Sequence, residues 1–278
     1  MRLIWSLLTQ NPLGHFDNSL LDPSWLSQSR LPPSNSGSLK TNTCPENSPV
    51  SCHNNTAFQD SCCFIYPSGQ LMSTQFWDTH PAVGPANSWT IHGLWPDNCD
   101  GSYPTYCSAA PQYHNLSEII SKASPSLFEY MKIYWLPNRG SPDSFWMHEW
   151  NKHGTCVNTL APSCYSEDQY IPGIEVVEYF QKAVDLFQQL DTYKALSSAG
   201  ILPRHDKTYS LKEIQETLTK VTGQKAIISC QGTQLNQVWY SFNVKGSLQA
   251  GRFVPTYGIH ESSGNCPAEG IIYSPKDM

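Results

Sequence analysis

The chain has no stretch approaching the roughly 18 to 20 uninterrupted apolar residues that a membrane-spanning helix needs, which argues against bilayer insertion. Charge is also scarce. Only 14% of the 278 residues are charged, and Lys and Arg are outnumbered 17 to 23 by Asp and Glu, giving a net charge of -6 with histidines neutral. A protein that holds a polyanion at neutral pH ordinarily carries the opposite balance. No internal repeat is visible, so a solenoid or propeller is excluded. No paired CxxC spacing occurs, so zinc knuckles are excluded too. Aromatic residues, by contrast, are plentiful. Nine Trp, fourteen Tyr and ten Phe within a hydrophobic share of 39% suffice for one large core, and the length suits a single domain.

The start of the chain lacks an ordinary signal sequence, because Leu3 to Leu8 after Met1-Arg2 falls short of the usual 7 to 15 apolar residues. It reads either as a weak signal or as a misassigned start. The Ser/Pro/Asn-rich run from Leu31 to Ser38 buries too little apolar surface to order itself, so residues 1–43 are expected to be leader and linker. The catalytic domain is expected to span 44–278.

Ten cysteines, an even number spread from Cys44 to Cys266, imply five disulfides and an oxidising, secretory route. Asn54 and Asn115 lie in glycosylation sequons compatible with that route. Nine histidines alter the charge argument. Once protonated, on a base of -6, they leave the chain at +3, so an acidic compartment, outside the cell or vacuolar, would suit an anionic partner.

Helical and strand patterns fall in separate blocks, which points to an α+β fold. Gln75-Phe76-Trp77 and Ser88 to His92 have strand composition, and residues 238–244 alternate as a half-buried strand does. Val176, Phe180, Val184, Phe187 and Leu190 repeat at helical spacing, predicting one amphipathic helix over 175–196. Ser210 and Glu213 form a capping box with Gly223 placed as the stop. Ser141-Pro142 and Gly154 bracket a helix from Phe145 to His153.

That last helix carries the densest chemistry. Phe145-Trp-Met-His-Glu-Trp-Asn-Lys-His-Gly-Thr-Cys156 holds His148, Glu149, Lys152 and His153 within six positions. Residues four apart share a helix face, which would set His148 beside Lys152 and Glu149 beside His153. A zinc protease pattern would need its histidines four apart. His148 and His153 are five apart and diverge by roughly 140° on a regular helix, so no metal is expected.

Taken with this segment, Ser88-Trp-Thr-Ile-His92-Gly-Leu-Trp95-Pro-Asp97 resembles the paired signature of the ribonuclease T2 family, nearest to its fungal members. The resemblance runs from about Cys44 to the C-terminal region. It implies a mainly antiparallel sheet flanked by helices. It also implies bridges joining Cys44 to Cys62, Cys52 to Cys99, Cys63 to Cys164, Cys107 to Cys156 and Cys230 to Cys266. The activity it implies is that of an endoribonuclease that cleaves single-stranded RNA without a cofactor, by attack of the 2′-hydroxyl through 2′,3′-cyclic phosphates, at acid pH. In that scheme His153 is the base, His92 the acid, and Lys152 and His148 stabilise phosphoryl charge. Glu149 either orients His153 and raises its pKa or, if protonated, donates to phosphate. One base would meet Trp95, Asp97 and Tyr103, with Asp97 favouring adenine, and a second would meet Leu136 to Arg139, including Asn138, and Phe145. A monomer is expected. Two rivals remain, a non-cleaving RNA binder on the same fold and a metal-dependent hydrolase, and cleavage in chelator separates both.

Overall fold

The computed structural model describes residues 44–53, 60–168, 170–258 and 264–276, so the leader and the Asn54 sequon lie outside it. Six helices and seven strands are found among these residues. The sheet is built on β5 (Gln234–Lys245), which pairs antiparallel with β1 (Gln70–Phe76), β4 (Ile227–Gln231) and β6 (Arg252–Thr256). On the far side of β1 lies β2 (Thr90–Asp97), the edge strand that carries His92. Two-residue strands β3 (Thr208–Tyr209) and β7 (Ile271–Ile272) extend the path, and only β5 to β7 runs parallel. The mainly antiparallel α+β expectation holds.

β5 has partners on both edges, and Tyr240 to Val244 are all buried, so the expected half-exposed alternation is lost there. Helices α1 (Leu116–Ala123), α2 (Pro125–Tyr134), α3 (Pro142–Lys152) and α4 (Ile174–Gln189) form the layer against β1 and β2. On α4, Val176, Phe180, Val184 and Phe187 face the core as their spacing predicts. The expected single helix over 175–196 is two. Asp191 accepts a hydrogen bond from the backbone N–H of Lys194 and starts α5 (Thr192–Ser198), a local side-chain cap outcompeting helix continuation. In α6 (Leu211–Thr222) the Ser210/Glu213 capping box and the left-handed Gly223 stop are both present.

Five disulfides form, but two are exchanged relative to expectation. Cys44 pairs with Cys63 and Cys62 with Cys164, in place of Cys44 with Cys62 and Cys63 with Cys164. The other three agree with the pairing that the resemblance implies: Cys52 bonds to Cys99, Cys107 to Cys156 and Cys230 to Cys266. Adjacent cysteines on a turn point in opposite directions, so loop lengths alone cannot choose between them. The turn that carries them is braced by Asn158, whose side-chain amide donates to the carbonyls of Ser61 and Phe64 and whose oxygen accepts from Tyr66 N–H. On this turn Cys63 is inward and buried, and Cys62, less buried, bonds to Cys164.

Candidate active site

The site is made where β2 meets the C-terminal end of α3. Ser141 starts α3 by accepting from Ser144 N–H, with Pro142 in the first turn, where its missing N–H costs nothing. Tryptophans then anchor the helix. Trp146 donates to the Trp135 carbonyl and Trp150 to the Pro111 carbonyl, and both rings are fully buried. Trp135, just beyond α2, donates in turn to the His92 carbonyl at 2.9 Å. Tyr179 on α4 donates its hydroxyl to the Leu94 carbonyl. The backbone of β2 is therefore held from two helices around its histidine.

Between Thr74/Gly93 and Gln75/Ile91 the register of β1 with β2 slips, leaving His92 as the extra residue of a β-bulge. In a regular strand His92 and Trp95, three apart, would point to opposite faces. The bulge resets that parity. Their rings meet edge to face at 4.6 Å.

Glu149 is fully buried. One carboxyl oxygen accepts from Trp95 Nε1 at 3.0 Å, while the other lies 3.7 Å from His92 Nε2 and has no hydrogen-bond partner among the described residues. Burial pushes its pKa up to about 8, against the Trp95 hydrogen bond and the Lys152 charge, which oppose the rise. It is thus a neutral carboxylic acid at pH 5. Burial is also the largest influence on the histidines. It lowers His153 to about 3, with help from Lys152 and His148. It holds His92 well below the ordinary histidine range, followed by repulsion from His153, His148 and Lys152. His148, at the exposed rim, is lowered by burial and then by Lys152.

α3 ends at Lys152, so His153 is its cap rather than its last residue. The His153 N–H still donates to the Glu149 carbonyl, with φ relaxed to -111°. Donor atoms of His148, Glu149 and His153 come within 4.8 Å of one another, contrary to the divergence expected from a continuous helix. These three could meet on one ion, so the angular argument against a metal does not stand. His153 stacks on Trp95 at 5.2 Å and 19°. Glycine is needed next, because a Cβ at Gly154 would enter the Trp150 ring.

Other expected site residues are spread more widely. Phe145 joins the site, its ring 5.7 Å from His92. Asp97 is buried at the end of β2, Tyr103 is 68% exposed, and Asn138 and Arg139 are exposed between α2 and α3. Asn115 is exposed just before α1. Three participants are absent from the sequence reading of the site. Phe76 stacks on His92, Trp239 packs against Trp95 at 5.6 Å, and Gly93 admits the Glu149 carboxyl. The only sequence signal for Phe76 and Trp239 is their place opposite the core-facing residues of their strands.

A Cβ at Gly93 would collide with Glu149 Oε2 and come within 2.8 Å of Trp95 Nε1. Gly93→Ala is therefore expected to displace the carboxyl, cutting kcat at least tenfold and costing about 1 to 3 kcal/mol in urea unfolding, as overpacking does. Wild-type kcat and stability would refute this close fit.

A model described as the Ribonuclease T2 family matches residues 58–251. The chain is 51% identical to Ribonuclease Trv of Hypocrea rufa, over 84% of this chain and 98% of that one. It is 50% identical to Ribonuclease T2 of Aspergillus oryzae, over 84% of each. Among solved structures, Actibind, described as a T2 ribonuclease, superposes with a TM-score of 0.80 at 45% identity, covering 86% of this chain and all of that one. Human RNase T2 superposes at 0.52 with 25% identity, over 74% and 98% respectively.

Proposed function

Since the chain belongs to the ribonuclease T2 family and is a T2-type endoribonuclease, we propose that it cuts single-stranded RNA by 2′-hydroxyl transesterification, with no metal, in an acidic compartment. The observation that carries this reading is the convergence of His92, Glu149 and His153 around Trp95. His153, kept unprotonated above about pH 3 by burial, takes the proton of the 2′-hydroxyl. The 2′-oxygen bonds to phosphorus, the bond to the 5′-oxygen breaks, and that oxygen leaves with a proton from His92. Hydrolysis of the 2′,3′-cyclic phosphate reverses the roles, with His92 activating water and His153 protonating the departing 2′-oxygen.

Of the two roles open to Glu149, its surroundings favour donation. A neutral buried carboxyl with one oxygen unengaged can donate to a phosphoryl oxygen as charge builds there. Lys152 and His148 add positive charge on the same side. Trp95, half-buried beside His92 and His153, would stack on a base, with Asp97 and Tyr103 as the further contacts that the resemblance implies. Phe145, 5.7 Å from His92, would meet the leaving nucleotide, with Asn138 and Arg139 as the further contacts that the resemblance implies. Five disulfides support secretion of a catalytic unit running from Cys44 onward, and the chain acts as a monomer in this reading.

The experiment is cleavage of single-stranded RNA in excess EDTA with ³¹P NMR of the products. Cyclic phosphate appearing and then decaying supports the mechanism. Loss of cleavage in EDTA would point to a metal enzyme, and retarded but uncut RNA to a binder.

The pH profile follows from the same assignments. Activity rises on the acid side as His153 loses its proton and falls on the alkaline side as His92 loses its own. Burial holds both below the ordinary value, and the incoming phosphate's negative charge raises both. The optimum is therefore expected at about pH 4 to 6. A maximum of kcat, which reports the substrate-bound enzyme, above about pH 7.5 at constant ionic strength would contradict the histidine roles.

A further inference from the structure

His92 is unusual for a proton-transferring histidine in what does not hold it. Such an imidazole is commonly oriented by a hydrogen bond from Nδ1 to a carboxylate or carbonyl. Here Nδ1 is buried and has no hydrogen-bond partner among the described residues. Nε2 faces Glu149 Oε1 at 3.7 Å, too long to fix the ring by itself. The backbone is well anchored through Trp135, but an anchored backbone leaves the side-chain torsions free.

What the ring does have is a flat neighbour. Phe76, the last residue of β1, lies over it with centroids 3.9 Å apart and planes 24° from parallel. Phe76 pairs with Thr90, so His92 is its diagonal neighbour across the two strands, a distance that aromatic side chains span. The bulge makes the meeting possible by turning His92 out of the regular pleat toward that ring. Phe145 from α3 closes the site at 5.7 Å, and Trp95 meets the imidazole edge-on.

We propose that Phe76 is a positioning residue for His92, its ring substituting for the missing Nδ1 acceptor and fixing the orientation in which Nε2 meets Glu149 and the leaving oxygen. This rests on the acid role assigned to His92 above. The charged and titratable groups acting on His92 are Glu149, His148 and Lys152 on α3 and His153 at its end. β1 and β2 present the rings of Phe76 and Trp95 to it. Phe76 thus holds the acid without altering its charge environment, and it excludes water from one face.

Phe76→Leu keeps an apolar side chain but removes the flat surface, and Phe76→Met does so with a more adaptable one. Each is expected to lower kcat about tenfold with KM within about twofold, since misorientation of a reacting group acts on the chemical step. The alkaline limb of the kcat/KM profile should move upward as water reaches the imidazole, and the His92 ring-proton NMR titration should move with it. Phe76→Tyr retains the stacking face and should restore both. In a His92→Ala background Phe76→Leu should cause no further loss. If both Leu and Met variants keep wild-type kcat and pH limb while His92→Ala is inactive, the positioning role is wrong and the acid assignment stands. If His92→Ala itself remains active, the acid assignment is what fails.

Discussion

His153→Ala is expected to lower kcat/KM by about 10² to 10⁴, and His92→Ala by a similar factor, because each removes one proton transfer from a concerted step. His153 contributes little else. It is a cap residue at the end of α3, stacked on Trp95, and the anchors of that helix are Trp146 and Trp150. Loss of the ring should therefore leave the fold cooperative, and His153→Asn, which keeps a polar planar group, separates packing from proton transfer. His92 is also dispensable for the sheet. It occupies the extra position of a bulge, and the ladder bonds on either side belong to Ile91 and Gly93. The double variant should be scarcely slower than either single one, since acid and base serve the same transition state. Steady-state kinetics on a dinucleoside phosphate, with thermal unfolding as the control, measures all four. A single alanine variant that retained more than about a tenth of the activity would remove that residue from the mechanism.

Much of this was legible because the information was local. The caps at Ser141, Ser210 and Gly223 depend on neighbours within four residues, and the structure forms each of them. The core face of α4 follows from spacing along one helix. The two histidine-bearing motifs are visible because each is contiguous. The outcomes that differed are decided by partners remote in sequence. Which of Cys62 and Cys63 bonds to Cys164 is settled by where the fold brings a partner 102 positions away. Helix periodicity alone sets Glu149 beside His153. The structure keeps that neighbour, with donor atoms within 4.8 Å, and adds Trp95 and His92 on β2, which Gly93 lets the carboxyl approach and helix spacing cannot show. The bulge at His92 depends on the register between two strands and leaves no composition signal.

These cross-chain contacts decide how the motif works. With Glu149 in the open, its carboxyl would be ionised at pH 5 and could only accept hydrogen bonds. Fully buried, it keeps its proton up to about pH 8 despite the Trp95 hydrogen bond, and in the proposed mechanism it donates that proton to phosphate. In the proposed mechanism the same burial suppresses charge on the free histidines, and an arriving phosphate anion favours the charged form of His92, the acid, while His153 stays the unprotonated base. Substrate and proton inventory are thereby linked, and this favours RNA capture and catalysis at the same acidic pH.

Removing the nucleophile rather than the catalyst should have the larger effect. Single-stranded DNA, and RNA methylated at every 2′-oxygen, are expected to be uncut under conditions where RNA is consumed within minutes. The attacking oxygen in RNA is part of the substrate, held next to the phosphorus it attacks, and such intramolecular placement is worth effective concentrations of about 10⁵ to 10⁸ M. In the proposed mechanism His92, Glu149, Lys152 and His153 supply proton transfer and charge but no nucleophile of comparable placement. Without the 2′-hydroxyl the acceleration should fall by at least about 10⁵, below detection in an ordinary assay. An oligodeoxynucleotide containing one ribose gives the sharpest form of the test. It should be cut only on the 3′ side of that ribose, releasing a 2′,3′-cyclic phosphate end that mass spectrometry separates from a linear phosphate by one water. Binding should survive, since phosphate contacts and stacking on Trp95 do not involve the 2′-oxygen, so the methylated RNA should act as a competitive inhibitor. Cleavage of DNA within about a hundredfold of RNA, or scission away from the single ribose, would mean that an external nucleophile is at work and that His153 activates something other than the sugar.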